Sequence, residues 1–155
     1  MNLDRATVHR LRASYDLILD HYGESKYSDY LPDLVLYYDE SDTVAGEYDD
    51  NLHEISLNLF YSNSAEECVK TMVHEYQHYL QPAGWHQRYY DMGHTHQTHP
   101  YEIEAEEIAE RDYQLFMQPF ESNIVMRKHL TRSSPEIDVK FEFMAPDWPI
   151  SDGPR

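Results

Sequence analysis

The segment from Ser64 to about Gln81 constrains the fold most, because it combines a helix-capping signal, an apolar stripe and a paired-histidine motif. Ser64 followed three residues later by Glu67 is the capping-box pattern that begins a helix. Pro82 and Gly84 are residue types that end one. The apolar side chains between these limits recur at helical spacing and form one stripe, made of Ala65, Cys68, Val69, Met72, Val73, Tyr76 and Leu80. We therefore predict an amphipathic helix that packs against the rest of the protein.

This predicted helix contains the sequence HEYQH, in which His74 and His78 are four positions apart. Side chains with this spacing lie on one face of a helix, so both imidazoles can reach a single metal ion. Zinc prefers such nitrogen ligands, and a catalytic zinc site keeps one position for water. Glu75 lies about 100° around the helix from His74, where its carboxylate can take a proton from that water. The motif predicts a Zn²⁺ site with Glu75 as the general base of a hydrolase.

A catalytic site of this kind needs a third protein ligand. The pattern HExxHxxGxxH is not present, because Gln81 and Gly84 occupy the positions of its glycine and its third histidine. A second helix is predicted from residue 100 to about 117, and it is rich in glutamate. Two of these glutamates, Glu102 and Glu104, flank its apolar face on opposite sides. Helical periodicity leaves both of them open as the third ligand.

The HExxH sequence that begins at His74, followed by EAxxIA from Glu104, resembles the gluzincin arrangement of zinc metallopeptidases. It is especially similar to compact prokaryotic and phage zincins, including the ImmA/IrrE-like metallopeptidases. The resemblance covers roughly residues 43–117. It implies Glu104 as the third zinc ligand beside His74 and His78, and a zincin-like α+β fold. In that fold a small mixed or antiparallel sheet packs on an active-site helix and a second metal-bearing helix. Glu106 stands where the ImmA-like pattern usually has asparagine, so we do not assign the chain to that subfamily.

The rest of the chain is consistent with one catalytic domain over residues 1–144 and a loose tail over 145–155. Hydrophobic periodicity predicts an α+β domain. Alternation in the segment 52–61 predicts a strand with one buried face, placed at a sheet edge where an extended substrate can pair with it. The predicted helices are residues 3–22, 64–81, 100–117 and 123–130, and the predicted strands are residues 34–39, 44–48, 52–61 and 137–143.

Residues 83–98 are predicted to form a polar, aromatic, histidine-rich loop that covers the metal cleft, because the two predicted metal-bearing helices lie at its ends. Tyr89 and Tyr90 are candidate donors to a developing oxyanion. The cluster of His94, His96 and His99 has several interpretations. It can supply a transition-state donor, a substrate contact or a rival metal ligand, or it can be a polar loop in which His99 caps the next helix.

The charge balance restricts the partners of this chain. It has 29 acidic and 12 basic residues, and its net charge is −17. Such a surface repels phosphate backbones, so we predict no nucleic-acid partner. No apolar run is long enough to cross a bilayer, and residues 1–12 lack the basic-then-apolar order of a secretory signal. We therefore expect no membrane partner and a cytoplasmic location. Cys68 lies in the apolar stripe and is predicted to be a buried structural thiol.

These features together predict a zinc metallopeptidase that hydrolyses peptide bonds in a peptide or protein substrate. The alternative is an acidic binding or inhibitor protein in which the zinc site is structural or vestigial. The coordination of the metal distinguishes the two hypotheses. An open position that faces a cleft beside Glu75 favours the enzyme, whereas a closed site with four protein ligands favours the binding protein.

Overall fold

The computed structural model describes residues 4–121, and the predicted elements at 123–130 and 137–143 and the tail 145–155 lie outside this range. The described residues form an α+β arrangement with a three-stranded mixed sheet, so the predicted class is confirmed at this level. None of the helices in this range has the length and apolarity needed to cross a membrane. The elements are α1 (Arg5–Tyr22), β1 (Asp33–Tyr37), β2 (Gly46–Asp49), β3 (Glu54–Asn58), α2 (Ala65–Leu80), α3 (Ala83–Asp91), α4 (Pro100–Asp112), a 3-10 helix (Tyr113–Phe116) and α5 (Gln118–Glu121).

Helix α1 is defined by a cap at each end. The Asp4 carboxylate accepts a hydrogen bond from the backbone N–H of Thr7 at 2.8 Å, which satisfies one of the free donors of the first turn. The helix ends at Gly23, whose φ of 74° lies in the left-handed region that favours glycine. Its inner face is buried in the core through Val8, Leu11, Tyr15 and Ile18.

Strand β3 is the central strand of the sheet, parallel to β1 and antiparallel to β2. Ile55 and Leu57 are fully buried, as the alternation of the sequence predicts. The prediction that this segment is an edge strand is wrong, because both of its edges are hydrogen-bonded to neighbours. Alternation reports which face of a strand is buried, whereas the pairing of its edges depends on contacts between distant segments. An extended substrate therefore cannot pair with β3, and the edge that remains beside α2 belongs to β2.

Helix α2 is confirmed to within one residue at each end. The Ser64 hydroxyl accepts a hydrogen bond from the Glu67 N–H at 3.1 Å, whereas the Glu67 carboxylate accepts from the N–H of Asn63 at 3.4 Å. Cys68 is fully buried, as predicted, and burial raises the pKa of its thiol to about 12. The stripe packs between α1 and the sheet, and this core fixes the face on which the histidines lie.

The segment 83–98 is not a continuous loop, because its first nine residues form α3. This helix has no buried residues, so it lacks the apolar stripe by which a helix is recognised in a sequence. Gly93, with φ of 100°, follows it and turns the chain toward α4. This helix matters for the site, because it holds its side chains at defined spacings.

Candidate metal centre

Helices α2 and α4 place three ligand-type side chains around one point. The Nε2 atom of His74 lies 3.0 Å from Oε1 of Glu102, and the Nε2 atom of His78 lies 3.1 Å from Oε2 of the same carboxylate. The two Nε2 atoms are 3.2 Å apart. Among residues 4–121, these three form the group of histidine, cysteine or acidic side chains that could hold a metal ion.

The structure brings Glu102, and not the predicted Glu104, next to the two histidines. Glu102 is 7% exposed and faces α2, whereas Glu104 is exposed and accepts a hydrogen bond from the Gln81 side chain at 2.9 Å. The physical reason is the face that α4 presents to its neighbour. Its buried positions are Glu102, Ala105, Ala109 and Asp112. The two alanines let the backbones of α2 and α4 approach closely, and Glu102 lies on the same face of α4, one turn before Ala105.

Hydrogen bonds behind the histidines orient both rings. The amide nitrogen of Gln81 donates to Glu104 and to the carbonyl of Tyr101 at 3.2 Å, so its oxygen faces His78. That oxygen accepts from Nδ1 of His78 at 2.8 Å. Nδ1 of His74 lies 3.1 Å from the Glu106 carboxylate. In the neutral ring of His78, Nδ1 therefore carries the hydrogen and the Nε2 lone pair faces Glu102, whereas His74 has a carboxylate beside each of its nitrogens. Such partners orient metal-binding histidines in proteins.

The geometry fits a single tetrahedral zinc ion. Ligand atoms about 2.0–2.1 Å from such an ion lie about 3.3 Å from one another. The three distances among His74, His78 and Glu102 are 3.0, 3.1 and 3.2 Å. Two imidazole nitrogens and a carboxylate converge here, an arrangement that a bound cation or protons on the histidines can stabilise. Two imidazoles and one carboxylate form a ligand set typical of catalytic zinc.

The same arrangement determines the pKa values of the three groups. Burial lowers the pKa of His74 and of His78, but the hydrogen bonds to Glu102 and the charge of Glu75 outweigh it, so both are raised. Burial raises the pKa of Glu102, yet the hydrogen bonds from the two histidines hold it well below its usual range. The site thus stabilises positive charge on the nitrogens and negative charge on the carboxylate, which favours binding of a cation.

Glu75 lies beside this group and is held by the edge strand. Its Oε1 accepts a hydrogen bond from the backbone N–H of Tyr48 in β2 at 3.0 Å, and its Oε2 lies 3.8 Å from Nε2 of His74. Burial raises the pKa of Glu75, while His78 and His74 lower it, and the net direction is upward. A raised pKa suits a carboxylate that has to accept a proton near neutral pH.

A cleft of about 890 Å³ opens onto the cluster and Glu75. One wall is β2 with the residues before it, and the opposite wall includes His86 and Gln87 of α3 together with His96. The segment 83–98 therefore contributes to the lining of the cleft, and its predicted role as a cover stays a prediction. Burial lowers the pKa of His86, and the nearby His78 and His99 lower it further. The rings of Tyr89 and Tyr90 pack on His99 instead of lining the cleft.

His99 is fully buried and joins two elements of the site. Its Nδ1 accepts the backbone N–H of Tyr101 at 3.0 Å, which confirms that it caps α4. Its Nε2 donates to the backbone carbonyl of His86 at 2.8 Å. One imidazole thus fixes α3 against the turn of α4 that carries Glu102. Sequence reasoning identified the cap, but the bond to α3 could not be found without the helix.

Comparisons of the chain with protein-family models, with curated proteins and with solved structures found no match. The resemblance to gluzincins therefore rests on the motif residues alone. The case for a function rests on the convergence of His74, His78 and Glu102 and on the cleft beside them.

Proposed function

We propose that this chain is a zinc-dependent metallopeptidase in which His74, His78 and Glu102 hold the metal and Glu75 is the general base. The observation that carries the proposal is the convergence of two imidazole nitrogens and one carboxylate at the floor of a cleft, with a second, largely buried carboxylate beside them. A structural site of the same composition needs neither the cleft nor the adjacent base. The proposal replaces Glu104 by Glu102 and keeps the other predicted residues.

Zinc in such a site supplies Lewis acidity, which lowers the pKa of water and polarises a carbonyl group. Glu75 removes a proton from the attacking water through Oε2, while the Tyr48 amide holds its other oxygen. Oxygen adds to the carbonyl carbon, and the carbon–nitrogen bond then breaks. Glu75 returns the proton to the departing amine, so the carboxylate ends the cycle unchanged. Glu106 and Gln81 hold the two histidines in the required orientation throughout.

The edge of β2 is suited to an extended peptide. The N–H of Tyr48 points away from β3 toward Glu75, so Tyr48 belongs to a non-hydrogen-bonded pair of the antiparallel ladder. Gly46, two residues earlier, has the same orientation, and its N–H and C=O face outward along the cleft. A substrate strand that hydrogen-bonds there brings its scissile carbonyl toward the metal cluster. This observation favours peptide bonds over other amides as the substrate.

Zinc binding and hydrolysis are tested separately on the full chain. We expect one zinc per chain, and an affinity loss of more than about 100-fold in Glu102→Gln, which exceeds the usual effect of an outer partner. Glu104→Gln is the matched control on the same helix and should stay within about 10-fold, because Glu104 acts only through Gln81. Chelator competition gives both dissociation constants. Equal losses in the two variants would remove the assignment of Glu102.

Hydrolysis of casein and of a mixed fluorogenic peptide library by the zinc-loaded chain tests the activity. Glu75→Gln should keep the zinc and the fold and lose about 10²–10⁴-fold in turnover, because the amide cannot accept the proton. Wild-type turnover in this variant would show that Glu75 is not the base. A zinc-loaded wild type that cleaves no peptide would favour the acidic binding protein, in which the same ligands hold a structural ion.

A further inference from the structure

A third imidazole borders the same carboxylate. Nε2 of His86 lies 3.5 Å from Oε2 of Glu102, the oxygen that His78 also contacts. The His86 ring lies 5.0 Å from the His78 ring, centroid to centroid. His86 stands outside the converging group of three, on the side of the cleft formed by α3. Among the described residues outside α2 and α4, the two imidazoles that contact this carboxylate are His86 at 3.5 Å and His96 at 3.7 Å.

The position of His86 is built into the structure. Its side chain is 33% exposed and its ring packs on those of His99 and Tyr90, at 4.4 and 5.6 Å between centroids. His99 also binds the His86 carbonyl and caps the turn that carries Glu102. The backbone of His86 is thus anchored to the turn that carries Glu102 through one buried side chain. This anchoring lowers the entropy that His86 loses when it binds a ligand.

His96 provides a contrast within the same cleft. Its Nε2 lies 3.7 Å from Oε1 of Glu102, so its distance from the carboxylate is similar to that of His86. Its side chain is 73% exposed, and it lies beyond α3 in the turn before α4. Nothing comparable to the His99 bond holds its backbone in the described contacts. The two histidines differ in anchoring more than in distance, which makes His96 a matched control.

We propose that His86 is a fourth, displaceable protein ligand of the metal held by His74, His78 and Glu102. A rotation of its side chain toward Glu102 would bring Nε2, now 3.5 Å from that carboxylate, within reach of a metal held by the other three. The side chain can rotate while its backbone stays anchored, because the ring is partly exposed to the cleft. The inference deepens the proposed function, on which it rests for the metal. His86 occupies the free position in the resting site, and a substrate carbonyl or water displaces it.

The test is the zinc dissociation constant of the full chain, measured by chelator competition for wild type, His86→Ala and His96→Ala. We expect His86→Ala to weaken zinc binding by about 10–100-fold, and His96→Ala to stay within about 3-fold. Co²⁺ substitution gives a second readout, because its visible absorption depends on the number and type of ligands. We expect the band to change in His86→Ala and to remain in His96→Ala. Circular dichroism verifies that α3 still forms.

Three results would overturn this proposal. One is a His86→Ala variant with the wild-type dissociation constant and the wild-type Co²⁺ spectrum. Another is a loss of peptide turnover in His86→Ala at saturating zinc with unchanged zinc affinity, which would assign the ring to the substrate. A third is an equal effect of His86→Ala and His96→Ala on affinity. Failure of the proposed function would look different. If His86 binds the metal in a chain that cleaves no peptide, His86→Ala would still weaken zinc binding.

Discussion

The contact between β2 and α2 at Gly46 yields a quantitative prediction about stability. A Cβ atom at this position would lie 2.5 Å from Cγ2 of Thr71 and 3.0 Å from the backbone oxygen of Ser56. Contacts below 3.0 Å do not occur between real Cβ atoms and their neighbours, so Gly46→Ala must displace Thr71 or the strand. Cγ of Glu75 lies 3.6 Å from the same point, so the displacement occurs where the proposed general base is held.

The size of the effect follows from two opposing contributions. Overpacking of a well-packed contact costs about 1–3 kcal/mol. Alanine restricts the unfolded chain more than glycine does, which offsets about 0.4–1 kcal/mol. We therefore expect Gly46→Ala to lower the free energy of unfolding by about 1–2 kcal/mol. Thr71→Ser removes Cγ2 and keeps the hydroxyl, which lies 3.1 Å from that of Ser62. In the double variant it should restore about 1 kcal/mol of the loss, as a coupling between contacting residues.

The assay is urea denaturation followed by far-UV circular dichroism, with a chelator present so that metal binding does not contribute. The four chains are wild type, Gly46→Ala, Thr71→Ser and the double variant, which form a complete double-mutant cycle. Two outcomes would refute the argument. Either Gly46→Ala remains within about 0.5 kcal/mol of wild type, or Thr71→Ser gives no relief beyond its own effect. The second outcome would place the strain at Ser56, whose backbone cannot be shortened.

Two further predictions concern the ends of α4. Hydrogen bonds from Arg111 and Tyr22 lower the pKa of Asp112 to about 2, so its stabilisation is complete above about pH 4 and is lost as the pH falls toward 2. Asp112→Asn should lower the free energy of unfolding by about 1 kcal/mol at pH 7, a figure reduced because Arg111 is exposed to solvent. The difference between the variant and the wild type should become smaller below pH 4. A difference that does not depend on pH would contradict this prediction. His99→Asn keeps a capping side chain but cannot reach the His86 carbonyl, so we expect a loss of about 1–3 kcal/mol. An unchanged urea midpoint would show that the bond between α3 and α4 contributes nothing.

The helix that carries the motif was predictable because its signals are local. Capping, periodicity and termination of α2 all lie within the segment 64–84, and the structure confirms its limits. The HExxH spacing also predicts that two imidazoles share a face, which requires only the geometry of one helix. Strand β3 is an example of a feature that local signals predict only in part. Its buried face was predicted from alternation, but its place in the sheet depends on pairing with β1, about twenty residues away along the chain.

The third member of the cluster was not determined by periodicity, because Glu102 and Glu104 flank the apolar face of α4 symmetrically. The small residues Ala105 and Ala109 are the signal that distinguishes them, since they mark the side on which α4 approaches α2 most closely. Glu102 lies on this same side of α4, one turn before Ala105, and lines the cleft. The resemblance to gluzincins selected Glu104, which the structure instead places behind Gln81.

The cluster joins residues from α2 and α4 that are 28 positions apart in the chain. An ion bound there would cross-link two helices, and an unfolded chain would not preserve that arrangement. Folding would then be coupled to the metal supply. The free energy of unfolding would rise by about 4 kcal/mol when the free zinc concentration is about a thousand times the dissociation constant. Since proteolysis acts on opened chains, the lifetime of the protein in a cell would rise and fall with the free zinc around it.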